Sequence, residues 1–168
     1  GGGMIAVHYD PAEQDPAAVA GMQISAAAGL YKTTAFTTTC FNADTNHWEA
    51  DIGTLHFTDG KILDELLGNG LTGQIRGIAA YERGDGLVFT NGHVRFAEEG
   101  VKVSVAGDLT LGGIEKARLE LGGAIATNRS SYVDLWAGNA PCSLTVGGDL
   151  TLEGVSRMDV RAAATNGI

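Results

Sequence analysis

Residues 103–113 read Val103-Ser-Val-Ala-Gly-Asp-Leu-Thr-Leu-Gly-Gly113, and residues 144–154 read Leu144-Thr-Val-Gly-Gly-Asp-Leu-Thr-Leu-Glu-Gly154. Seven of the eleven positions are identical at an offset of 41 residues, so internal repetition has to be weighed before any single motif. The shared Gly-Asp reads most simply as a corner. Glycine adopts backbone angles that other residues avoid, and aspartate hydrogen-bonds the turn. The arms on either side alternate, pointing every second side chain inward. Short arms about a repeated corner predict a stack of β-layers. The expected fold is an all-β solenoid, right-handed and β-helix-like, with a duplicated C-terminal repeat. One coil takes about 20–25 residues, so the period spans two coils, or one coil with a side loop. An antiparallel β-sandwich with internal duplication is the alternative.

Outward from the repeat, alternation predicts strands over Met4–Tyr9, Gly53–Phe57, Leu71–Ile78, Leu87–Thr90, His93–Phe96, Ala117–Leu121, Tyr132–Trp136 and Met158–Arg161. Asn91-Gly92 between two of these is a hairpin signal, although a corner of the stack would use the same dipeptide. Lys61–Leu67 has helical spacing but supports one or two turns at most. The chain is read as a single domain over residues 1–168. Residues 1–100 form irregular N-terminal coils, and 101–168 hold the two copies, the second truncated. The Gly1-Gly-Gly opening and the stop within the second copy suggest a piece of a longer polypeptide.

The 25 glycines and three prolines suit short strands joined by tight turns, and 44% hydrophobic residues leave a core to bury. The net charge of −9 is concentrated in residues 1–100, with thirteen acids against five bases. No basic patch is present for nucleic acid or anionic lipid, and no apolar run approaches the ~20 residues of a membrane span. Cys40 and Cys142 lack ligand spacing, and the sequence leaves open whether they form a disulfide.

Tyr132-Val-Asp-Leu-Trp136 carries the candidate site. With Val133 and Leu135 inward, Tyr132, Asp134 and Trp136 share the outer face, the two aromatics roughly 13 Å apart along the strand. Aromatic planes stack on pyranose faces and a carboxylate accepts from sugar hydroxyls, so this face suits an extended polysaccharide. The plain alternative makes it a structural strand. The loop Asp44-Thr-Asn-His-Trp-Glu49 with Asp51 lacks the order of known calcium loops. His56 and His93 lie on outward faces and would meet if their strands stack, but no third ligand points to a metal. No Gly-x-Ser-x-Gly is present, and Asp108 and Asp149 are committed to turns. The closest approach to a lyase-like set is Asp134, with Asp159, Arg157 and Arg161. No catalytic residue, metal or cofactor is assigned, and the balance leans away from an enzyme.

Gly1-Gly-Gly-Met-Ile-Ala-Val-His-Tyr9 resembles the Gly-rich run, followed by Arg-Ile-Ala-Val/Ile-Tyr, that punctuates very large secreted bacterial proteins. Met4 stands where that run carries arginine. Gly53-Thr-Leu-His-Phe57, His93-Val-Arg-Phe96 and the Leu-Thr-Val-x-Gly-Asp-Leu-Thr-Leu arms are similar to the repeats of filamentous adhesins and autotransporter passengers. The resemblance implies a structural or adhesive module at the cell surface or outside it, in contact with neighbouring repeats of a longer chain. The alternative is a carbohydrate-binding or polysaccharide-degrading domain.

Overall fold

The structure, a computed structural model, describes residues 3–27, 30–32, 47–49, 52–113, 118–121, 142–154 and 156–160. Its strands are β1 (Met4–Val7), β2 (Leu30–Lys32), β3 (His47–Glu49), β4 (Thr54–Phe57), β5 (Thr72–Arg76), β6 (Ala80–Arg83) and β7 (Leu87–Thr90). They continue as β8 (His93–Phe96), β9 (Lys102–Val105), β10 (Leu109–Gly112), β11 (Arg118–Leu121), β12 (Ser143–Val146), β13 (Leu150–Leu152) and β14 (Arg157–Val160). Among the described residues the helix α1 (Leu63–Gly68) and a 3₁₀ turn, Pro16–Val19, interrupt them. Asp15 caps that turn by accepting the Ala17 N–H at 3.0 Å.

Three sheets hold the chain together. The largest has the order β1-β4-β5-β8-β11-β14, and the others are β6-β9-β12 and β7-β10-β13. All pairs in them are parallel. From β5 onward the chain visits the three sheets in turn. The two copies of the repeat lie on each other in register, with Val103 opposite Leu144 and Leu109 opposite Leu150. Strands β2 and β3 form a separate antiparallel pair.

This corrects both expected architectures. A sandwich requires antiparallel partners, and the pairing in all three sheets is parallel. Nor do the described residues form the expected solenoid: the strands lie in three small sheets, none of them closed, and α1 packs among them. The 41-residue offset is also not a general period, because links between neighbouring layers elsewhere join residues 21 or 22 apart. Asn91-Gly92 makes no hairpin. It joins β7 and β8, which belong to different sheets, and Asn91 has a φ of 53°.

Inward residues of all three sheets and the apolar side of α1 form one cluster. It includes Leu55, Phe57, Leu63, Leu66, Ile75, Phe89, Phe96, Val103, Leu109 and Leu111. Strands of three to five residues pack few side chains each, so the fold depends on apolar contact between successive layers. That burial fades at the last layer. Leu109 and Leu111 are 0% exposed, whereas Leu150 and Leu152, their register partners on β13, are 45% and 50% exposed.

The two leucine pairs are identical in sequence context, so the difference is testable. Leu111→Ala should cost about 2–5 kcal/mol in a urea titration, the range for a buried leucine. Leu152→Ala should cost under about 1 kcal/mol, because water already reaches that side chain.

Candidate functional site

The expected sugar-binding residues Tyr132, Asp134 and Trp136 lie outside the described residues, as do Cys40, Asp44, Asp51 and Arg161. Arg157 and Asp159 fall on β14, opposite Arg118 and Glu120 of β11. Cys142 is half-buried against the core.

The histidine expectation is corrected. β5 lies between the strands of His56 and His93, so these two do not meet. Their register partners on β5 are Arg76 and Thr72 respectively. His56 instead faces His8, with ring centroids 6.1 Å apart. Among the described residues, no three His, Cys, Asp or Glu side chains are placed to share a metal ion. Arg95, 3% exposed, stands in register between Gln74 of β5 and Glu120 of β11. Arg76 donates to the Ala97 carbonyl, and Glu98 accepts the Gly77 N–H at 2.7 Å. These bonds tie β5 to the segment after β8.

The described residues have two unlike ends, and that asymmetry is the main candidate feature. At the first end α1 covers β7 and also touches the 3₁₀ turn. Leu63, Leu66 and Leu67 on its inner side are buried. Charged groups fasten the helix. Tyr81 of β6 donates to Asp64 of α1, and Arg83 pairs with Asp64 at 2.5 Å and with Asp85 at 2.7 Å. Burial works against the charge on Arg83, and the carboxylate of Asp64, with that of Asp85, offsets it so that its pKa is raised. A second tie joins the loop before α1 to the start of the chain. Tyr9 donates to Asp59, Asp59 accepts the Lys61 N–H at 2.8 Å, and the Lys61 ammonium donates to the Pro11 carbonyl.

The other end is built from the Gly-Asp corner. The expectation that Asp108 serves its own turn gives way to a contact between layers. Its carboxylate reaches the next layer and accepts the backbone N–H of Asp149 at 2.8 Å. Backbone bonds flank it, from Gly148 N–H to Gly107 O at 3.0 Å and from Leu109 N–H to Asp149 O at 2.8 Å. Glycine is required where the layers touch. A Cβ on Gly148 would lie 2.1 Å from the Asp108 carboxylate, and one on Gly147 2.2 Å from the Ala106 carbonyl oxygen. The register also reveals an earlier corner that the sequence reading missed. With Leu87 opposite Leu109, Asp85-Gly86 lies under Gly107-Asp108. The order is inverted and the arms differ, so similarity to the later copies could not find it. The remaining signal was the apolar alternation through Tyr81, Leu87 and Phe89.

Comparison with protein-family models, curated proteins and solved structures returned no match. Among the described residues, no helix is long and apolar enough to cross a membrane.

The helix ties predict a pH dependence. Burial, and then donation to Asp64, raise the Tyr81 hydroxyl well above its ordinary value. Burial and Asp59 push Tyr9 up to about 12. The folded chain therefore keeps these protons at a pH where the unfolded chain, with tyrosines near a pKa of about 10, releases them. Their stabilisation is complete below pH ~10 and falls as pH rises through the folded values. Urea midpoints measured over that window should decline in the wild type and decline less steeply in Tyr81→Phe.

Proposed function

We propose that this chain is a structural or adhesive module of a larger extracellular bacterial protein, located outside the cell or on its surface. Its mechanism is display. A stack of short strands holds loops and outward faces at fixed spacing, and neighbouring repeats of the parent chain continue the arrangement. The observation that carries this reading is the in-register layering of the two repeat copies, joined by the bond from Asp149 N–H to Asp108. Layers of this kind supply rigidity and a regular surface without requiring chemistry at any one residue. Localisation tests the proposal. An antibody raised against the chain should label intact producing cells or their medium, and external protease should remove the surface signal. A signal confined to the cytosol overturns it.

The second reading is a carbohydrate-binding or polysaccharide-degrading domain. It is supported by the alternation that places Tyr132, Asp134 and Trp136 on one face of their segment. On a glycan array the chain should then retain an extended polysaccharide, and Trp136→Ala should abolish retention while leaving the urea midpoint in place. Retention by neither protein sinks this reading.

A further inference from the structure

We infer that the last layer, β12 and β13 with the Gly148-Asp149 corner between them, is a strand-addition site. Its occupant is an extended segment of this chain's own repeat pattern, Val/Leu-x-Val-x-Gly-Asp-Leu-x-Leu, bound in parallel. The inference rests on the scaffold reading and names the partner that reading requires.

Each earlier layer shows what the site recognises. β10 is paired on both sides, with β7 and β13, and β9 likewise with β6 and β12. Among the described residues β12 and β13 end their sheets with one neighbour each, and their outer rows of backbone groups lie outside the ladder. The side chains repeat the same contrast. Val103, Val105, Leu109 and Leu111 are buried beneath the following layer. At the matching positions Leu144 and Val146 are only partly covered, and Leu150 and Leu152 are exposed. Asp149 occupies the position that Asp108 holds one layer earlier, where the carboxylate accepts an N–H from the layer above. The surface therefore offers three elements in the register of an existing interface: a backbone edge, an apolar strip and a carboxylate acceptor. Strand addition uses this combination, with main-chain bonds supplying affinity and alternate side chains supplying specificity.

The occupant follows from continuity. The interface below this layer, between the two repeat copies, is parallel and in register, and its upper partner is the segment Leu144-Thr-Val-Gly-Gly-Asp-Leu-Thr-Leu152 itself. A second copy of the whole protein cannot present its first end in the same manner, because α1 covers β7 there and the Tyr81, Asp64 and Arg83 contacts hold it in place.

The test uses the full chain and a fluorescein-labelled peptide of residues 143–154, followed by anisotropy. Saturable binding is expected, with none to a scrambled peptide. Leu150→Lys/Leu152→Lys in the protein should abolish binding without shifting its urea midpoint, since both leucines are exposed. Asp149→Ala should weaken binding about tenfold, the equivalent of one charge-assisted hydrogen bond. Absence of binding overturns the inference, as does binding that survives the double substitution. A wild-type dimer in sedimentation that the double substitution dissociates would assign the face to a second copy and also overturn it. Failure of peptide binding leaves the extracellular reading standing, and a cytosolic location leaves strand addition standing, so the two can be distinguished.

Discussion

Neighbouring strands in a sheet stand about 4.8 Å apart, and at the corner of the second repeat copy that spacing leaves no room for a side chain at positions 147 and 148. Gly147 and Gly148 meet the Ala106 carbonyl and the Asp108 carboxylate so closely that a single added carbon would overlap them. The approach has a second consequence. It brings the Asp108 carboxylate to the Asp149 N–H, so an acid in one corner orders the next. The register of β9 on β12 and of β10 on β13 is set at this point. The burial of Val103, Val105, Leu109 and Leu111 depends on that register, because a slip of one residue would turn each strand's apolar set outward.

The same layering gives the chain a direction. The first layers are closed by α1, whose leucines are buried and whose Asp64 takes both the Tyr81 hydroxyl and the Arg83 guanidinium. Among the described residues no such element covers the last layer, and Leu150 and Leu152 are exposed. A helix packed on β7 at one end hinders that strand from pairing with other chains. At the other end the described residues leave the edges of β12 and β13 and the side chains of Leu150 and Leu152 open. The scaffold reading comes from the layering of the repeat copies and the strand-addition inference from this polarity, and neither requires a catalytic group.

Much of the local structure could be read from residue order. Alternation located β1, β4, β5, β7, β8 and the strands of both repeat copies to within a few residues, because a strand with one buried face must alternate. Helical spacing located α1, since Leu63, Leu66 and Leu67 form one apolar side. One misreading concerns the existence of a strand, and the others concern partners. β6 was not recognised as a strand, because its Ala80-Tyr-Glu-Arg83 has only one buried residue, Tyr81. Asn91-Gly92 carries the backbone preference of a hairpin, yet β7 and β8 each have closer partners one layer away. His56 was matched with His93 on orientation alone, and the strand order placed β5 between them.

By itself the sequence determined the alternation within the strands, the two Gly-Asp corners and the residues available to face inward, because these follow from backbone preference and from the two-residue repeat of a strand. The tertiary structure alone decided how the strands pair: in parallel, within three open sheets, rather than in the expected solenoid or in a sandwich. It also decided that Gly107-Asp108 and Gly148-Asp149 differ in role despite being identical in sequence. Asp108 has a layer above it and supplies a hydrogen bond to that layer. Leu109 is buried where Leu150 is exposed for the same reason. Burial and hydrogen-bond partners belong to the surroundings of a residue, and an identical motif acquires different surroundings at the middle of a stack and at its end.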